Sequence, residues 1–233
     1  GVKALVVCNP QNPCGKVFTR EELMKIGTLA KAHDAWIITD EVYEHIVYAP
    51  NIHVRLSALP GMWDHCLTVS SLSKTYSITG WRLGYLIGPE QAVEAARKVH
   101  DFLTVGAAAP LQAAAVAGLK AGPEYYRGLT DIYTAKRQLF LSGLEAIGLP
   151  HTKPQGSYFV MVDISRFLAL SRFRGFSDLA FCEYMTEHIG VAAVPGSSFF
   201  MGEPETGLMR LHFARSEESL TEALRRLSRL NDL

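Results

Sequence analysis

The chain has no surplus of charge of either sign: 23 basic and 23 acidic side chains give a formal net charge of +0. A nucleic-acid or polyanion ligand calls for an excess of Lys and Arg, so no nucleic acid is expected as partner. No apolar run approaches the roughly 20 residues of a membrane-spanning helix, so no membrane partner is expected either. Cysteine is scarce and scattered. Cys8, Cys14, Cys66 and Cys182 form no C-x-x-C pair, which argues against a zinc knuckle or a disulfide scaffold and for reduced thiols in the cytoplasm. The eight histidines show no H-x-x-x-H spacing, so they read as scattered surface or packing residues and no metal site is expected. Gly15-Lys16 lacks the following Ser or Thr of a phosphate loop, and no G-x-G-x-x-G occurs. Gly196-Ser197-Ser198 lacks the frame of a nucleophile elbow. There is no internal repeat and no low-complexity linker.

What is present is ordinary globular composition, 48% hydrophobic and 20% charged over 233 residues, enough for one large domain or one and a half. Gly1 runs straight into the apolar stretch Val2–Val7, and a chain that starts inside a core element reads as a piece of something longer. Short apolar runs then alternate with helical patterns. Ala4–Cys8 reads as a strand ending in the turn-forming segment Asn9–Gly15. Thr19 and Glu22 form a capping box before the stripe Leu23, Ile26, Leu29 and Ala30. Ala35–Thr39 and Cys66–Ser70 read as further strands, and Trp81–Gly88 as another after the Thr79-Gly80 break. Near-continuous apolar strands between helices predict a mostly parallel sheet covered on both faces. After the Ala-rich helix Leu111–Lys120 and the break at Gly122-Pro123, a long helix over about Tyr125–Ile147 leads into a second α/β layer. Its parts are strands Tyr158–Asp163, Val191–Val194 and Leu208–Phe213, helix Ser177–Ile189 and a terminal helix from Ser216. Tyr125 and Tyr126 read as core aromatics.

In such sheets ligands sit beyond the carboxyl ends of the strands. Asn12, Asp40 and Lys74 all lie at those ends. Lys74 follows an apolar strand within Ser70-Ser71-Leu72-Ser73-Lys74-Thr75. Alone it is either a solvated loop lysine or an amine held in a pocket. The hydroxyls around it, with Arg82 eight positions on, suit an anion such as a phosphate ester. Asp40 is either a cap for the next turn or a buried carboxylate that needs a cation. Arg210 interrupts the apolar run Leu208–Phe213, so it either faces solvent or grips a carboxylate with both arms of its fork.

Taken jointly, a lysine amine, phosphate donors, a strand-end aspartate and a second arginine match the parts of a pyridoxal phosphate site. The chain resembles the fold type I, class I/II aminotransferases, especially the branch with bacterial aspartate aminotransferases and kynurenine/glutamine transaminases. The resemblance covers essentially the whole chain. It is carried by Ser71-Leu72-Ser73-Lys74-Thr75-Tyr76-Ser77-Ile78-Thr79-Gly80-Trp81-Arg82-Leu83-Gly84, with Asn9–Gly15 and Thr39-Asp40-Glu41-Val42-Tyr43 as companions in the expected order. Cys14 departs from the Thr most often found there, and no catalytic inference is drawn from its thiol.

The resemblance implies an α/β fold. Residues 1–122 would form the C-terminal part of the cofactor-binding large domain, incomplete at its N-terminus, and 123–233 a smaller α/β domain beginning with the long helix. It implies an enzyme that moves an amino group between an L-amino acid and a 2-oxo acid with pyridoxal 5'-phosphate as cofactor. Lys74 would form the Schiff base and shuttle the proton, and Asp40 would keep the pyridine nitrogen protonated. Asn12 and Tyr43 would hydrogen-bond the phenolic oxygen, while Ser71, Ser73 and Arg82 would hold the phosphate. Arg210 would clamp the substrate α-carboxylate, and Asn12 would also bind substrate. A homodimer is expected for the full protein, and this segment alone is expected to be poorly folded and catalytically silent. A carbon–sulfur β-lyase shares the same residues. A non-enzymatic alternative is the effector-sensing module of a transcription regulator.

Overall fold

In the computed structural model, β1 (Ala4–Cys8), β2 (Trp36–Asp40) and β3 (Cys66–Ser71) run parallel, and β4 (Gly84–Ile87) joins the far edge antiparallel. The structure describes residues 1–202 and 206–233. They divide into two compact units, Gly1–Gln11 with Lys16–Thr130 and Asn12–Gly15 with Asp131–Leu233.

In the first unit, helix α1 (Arg20–Ala32) starts at the predicted capping box: the Thr19 hydroxyl accepts from Glu22 N, and the Glu22 carboxylate accepts from Thr19 N at 2.9 Å. The helix presses Leu23 and Ala30 onto Ile37 of β2 and Cys66 of β3, with Leu56, Leu59 and Met62 closing the core. Burying such side chains is worth about 1.5–3 kcal/mol each, the main drive for this layer. Asn9, fully buried after β1, donates to Val54 O and accepts from Phe18 N, so one amide locks the chain's exit from the strand.

Beyond β3 come the short α2 (Leu72–Thr75), then α3 (Glu90–Thr104), α4 (Ala109–Leu119) and the long α5 (Pro123–Ile147). The strand expected over 81–88 is shorter and reversed. Thr79–Trp81 forms a tight helical turn and Arg82 takes a left-handed conformation (φ +56°), which delays β4 to Gly84. Helix α3 was not expected, and none of its residues is buried. Tyr125 is 39% exposed, so it is not a core aromatic.

The second unit carries β5 (Phe159–Asp163), α6 (Ser165–Leu168), α7 (Asp178–Tyr184), β6 (Val194–Pro195), β7 (Leu208–His212) and α8 (Glu217–Leu227). Its sheet has the order β5-β7-β6 and is antiparallel throughout. Ser177 caps α7, and the helix widens over Met185–Ile189 before Gly190 ends it. Val160, Val162, Phe181, Met185, Met209, Phe213 and Leu227 are fully buried. Phe167, Phe173 and Phe181 pack ring against ring at 5.2–5.7 Å, the kind of contact that adds about 0.5–1.5 kcal/mol per pair beyond area burial.

The four cysteines are thiols. Burial pushes Cys66 up to about 11 and Cys182 to about 12. Among the described residues no helix is long and apolar enough to cross a membrane.

Candidate functional site

The first unit gathers the acidic and phosphate-type candidates along one edge of its sheet. Asp40 ends β2, half-buried, paired in register with Cys8 on one side and Val69 on the other. Its Oδ1 accepts from Val42 N at 3.2 Å, which folds the chain sharply after the strand. Within that turn Tyr43 is buried, and Ile46 N closes onto Tyr43 O at 2.8 Å.

Two residues past Val69, Ser71 caps α2 by accepting from Ser73 N at 2.9 Å. Lys74 therefore sits on the first turn after β3, half-buried, with Nζ 3.5 Å from Thr79 Oγ1. Thr79 anchors the loop at both ends, donating to Ser73 O and accepting at its own carbonyl from Arg82 Nη1 at 3.0 Å. Left-handed backbone at a non-glycine costs of order 1 kcal/mol and recurs at ligand clamps; here it occurs at Arg82, which lines the same cavity as Ser71 and Ser73. Gly84 is required by close approach, since a Cβ there would stand 2.8 Å from Ser70 O. Ser71, Ser73 and Arg82 line one cavity of about 610 Å³, with Tyr85, Arg97 and His100 on its walls.

Behind these residues lies a charge network that the sequence did not reveal, with buried Glu41 and Glu44 and an exposed Arg55. Glu44 Oε1 accepts from Ser70 Oγ at 3.1 Å and from Tyr85 OH at 2.9 Å, while Arg55 pairs with its Oε2. Glu41 Oε2 lies 2.8 Å from His53 Nε2 and 3.7 Å from Arg55 Nε. Burial works against the Glu44 charge, but Arg55 and Tyr85 outweigh it and hold the carboxyl below its ordinary value. Glu41, Glu44 and His53 bring ligand atoms within 4.8 Å of one another. A cation there would have to displace Arg55, so the cluster is read as an ion-pair network. His53 is thus no scattered surface histidine. The signal available was Glu41 and Glu44 three apart on an otherwise apolar turn, followed by His53-x-Arg55.

The second unit places Asn12 and Arg210 together: Arg210 Nη1 donates to Asn12 Oδ1 at 2.6 Å. Arg210 lies on the central strand β7, opposite Met161 on one side and Val194 on the other. Its guanidinium stands 4.2 Å from the Phe159 ring centre and 4.8 Å from that of Phe199. Such stacking fixes the plane of the fork. Asn12 is held by Gly15, whose carbonyl accepts from Gln155 N and Gly156 N. Gly15 has φ +73°, and a Cβ on it would stand 2.8 Å from Gly156 O, so glycine is needed twice over. Asp178 braces the Phe199 turn, accepting from Ser197 N at 2.7 Å, Ser197 Oγ at 2.8 Å and Thr206 Oγ1 at 2.7 Å. Burial pulls its pKa up, but these hydrogen bonds prevail and hold the carboxyl below its ordinary value.

Comparison with known proteins gives this geometry a setting. The family model for aminotransferase class I and II matches residues 1–227. The methionine aminotransferase of Escherichia coli (strain K12) is 36% identical over 227 residues, covering 97% of this chain and 57% of its own length. Kynurenine–oxoglutarate transaminase 3 of Rattus norvegicus is 36% identical over 234 residues, covering 95% of this chain and 52% of its own. The structure of N-succinyldiaminopimelate aminotransferase from Mycobacterium tuberculosis superposes with a TM-score of 0.89 at 33% identity, covering 98% of this chain and 58% of that one. The chain spans about half the length of the curated relatives it matches. It belongs to the aminotransferase class I and II family.

Proposed function

We propose that this chain carries the cofactor lysine of a pyridoxal phosphate-dependent transaminase, which moves an amino group between an L-amino acid and a 2-oxo acid. The observation that carries the reading is the Ser71–Gly84 segment. There two serines and a left-handed arginine line one cavity, with Lys74 on the same short turn. Two hydroxyls and a guanidinium are the donor chemistry a phosphate dianion needs, and a half-buried amine beside them is what an aldehyde needs, so the residues present fit the cofactor.

Pyridoxal phosphate, when bound, supplies the electron sink that lets a substrate α-hydrogen leave as a proton. The remaining work falls to the chain. Lys74 would hold the cofactor covalently, and its free amine would move the proton at the substrate α-carbon. Asp40 would keep a proton on the pyridine nitrogen. Tyr43 and Asn12 would donate to the phenolic oxygen, and Ser71, Ser73 and Arg82 would bind the phosphate. Arg210 takes the substrate α-carboxylate with its fork. Its aromatic platform and Asn12 set the angle, so orientation is established before substrate arrives.

Residues 1–122 are proposed as the C-terminal part of the cofactor-binding large domain and 123–233 as the small domain. A homodimer and a cytoplasmic setting belong to the same proposal. The dimer is supported by Phe102, Leu103 and Val105 at the end of α3, which are 92%, 79% and 83% exposed, an apolar face of the kind that marks an interface. No observation favours the carbon–sulfur β-lyase or the regulator module. The deciding assay offers an amino acid and a 2-oxo acid to the pyridoxal phosphate-loaded protein. Stoichiometric exchange of amino and oxo groups is expected of the full protein; release of ammonia and thiol, or no turnover by the full protein, would sink the reading.

A further inference from the structure

We propose that Glu44 is a positioning residue for the cofactor site, its buried carboxylate tying the turn that carries Tyr43 to the β3–β4 rung beside Ser71. The inference rests on the cofactor reading above and adds a residue to it.

Ser70 and Tyr85 face each other in register across β3 and β4, and the next rung pairs Ser71 with Gly84. One carboxylate oxygen takes both hydroxyls of the first rung, so β3 and β4 are pinned to each other one residue from Ser71. Ser70 and Tyr85 line the same cavity as Ser71, so this network forms part of its wall. The other oxygen takes the guanidinium of Arg55. Glu44 itself follows Tyr43 directly, and its N donates to Glu41 O at 2.9 Å, closing the turn in which Tyr43 sits. Glu41 repeats the tie in the backbone: its N donates to Val69 O at 2.8 Å, and its carbonyl accepts from Ser70 Oγ at 3.4 Å. The turn holding the ring-side tyrosine and the strand end holding the phosphate-side serine are thereby fastened through one side chain.

The residue type follows from the donors. Four donor atoms from three side chains converge on two oxygens, which an ionised carboxylate satisfies and no other side chain of that size does. A glutamine keeps an acceptor for Ser70 and Tyr85 but turns an NH₂ toward Arg55, donor against donor. An alanine takes this acceptor from Tyr85 and leaves Ser70 with the Glu41 carbonyl alone.

A purely structural ion pair would affect stability alone, so the test needs a readout that stability does not move. The absorbance of the lysine-bound cofactor changes with pH as the linkage loses its proton. A tyrosine donating to the phenolic oxygen favours the deprotonated form, so Tyr43→Phe raises the midpoint. Glu44→Gln is expected to raise it too, by about half a pH unit or more, and to weaken retention of pyridoxal phosphate by about 3–10-fold. In the double variant Glu44→Gln/Tyr43→Phe the midpoint should move by less than the sum of the single shifts. Tyr85→Phe, which keeps the ion pair and the packing, should move it in the same direction by less, and serves if Glu44→Gln does not fold. A midpoint at the parent value in Glu44→Gln or, failing that, in Tyr85→Phe, with only thermal stability lowered, would overturn the proposal. So would full additivity in the double variant. Failure of the cofactor reading looks different: the unmodified protein would show no lysine-bound absorbance band at all, and both proposals would fall.

Discussion

Asp40 and Arg210 both break apolar strands with a charge, but from opposite positions. Asp40 is the last residue of β2, where the chain leaves the sheet and a backbone N–H two residues on takes one oxygen. Arg210 is the middle residue of the central strand β7, flanked by strands on both sides. A charge at a strand end is solvated or engaged without disturbing the core. A charge in mid-strand needs a built surface, which Phe159 and Phe199 supply as ring faces and Asn12 as an acceptor. The first unit thus offers a linked set of donors and acids just past its strands. The second offers a single fork fixed in plane before any ligand arrives.

Substitutions should separate these two designs, with the largest effects in the first unit. Lys74→Ala is expected to abolish turnover while leaving weak pyridoxal phosphate binding through the phosphate and ring contacts; single-turnover assays and equilibrium dialysis would show the split. Asp40→Asn should lower kcat by more than about 100-fold with little change in folding, because an amide fills the space without balancing a pyridinium charge. Near-normal rates in that variant would reduce Asp40 to the turn cap that Val42 N already suggests. In the second unit, Arg210→Lys should raise KM for amino acid and oxo acid together by about 10–100-fold, the worth of one or two charge-assisted hydrogen bonds. Retention of pyridoxal phosphate should not change. Equal loss with amines that lack an α-carboxylate would show that the fork does not grip one.

The smallest effect is one of stability and pH. Asp178 braces the turn that presents Phe199 to Arg210, and its folded-state pKa is depressed. Its contribution is therefore present above the unfolded-state value and disappears as pH falls through the lower folded-state value. Asp178→Ala should cost about 2–4 kcal/mol in urea unfolding at neutral pH. The gap between parent and variant should narrow toward acid pH, and a constant gap would mean that the carboxylate's charge is not what holds the turn.

The same contrast explains what the sequence reveals. Strand ends announce themselves: Asp40 after Ala35–Thr39, and Lys74 after Cys66–Ser70, were visible as polar breaks after apolar runs. The capping box at Thr19 was legible because both partners lie within one turn. Long-range pairing was not. β5 ends at Asp163 and its neighbour β7 begins only at Leu208, so the antiparallel order of the second sheet left no local trace. Arg210 on its own was ambiguous because its ring platform comes from Phe159 and Phe199 on other segments. Helix α3, between Gly88 and Leu111, was not legible; it buries none of its residues, so no core stripe marked it. The Glu44 network escaped for the reason that hides most buried polar clusters: its members, from Glu41 to Tyr85, come from four separate segments.

The central claim is that Lys74 is the cofactor lysine, and chemical trapping tests it most directly. The protein is loaded with pyridoxal phosphate, reduced with borohydride, digested and mapped by mass spectrometry. A single pyridoxyl label is expected, on Lys74 within the Ser71–Arg82 segment. A label on any other lysine, with Lys74 unmodified, would contradict it.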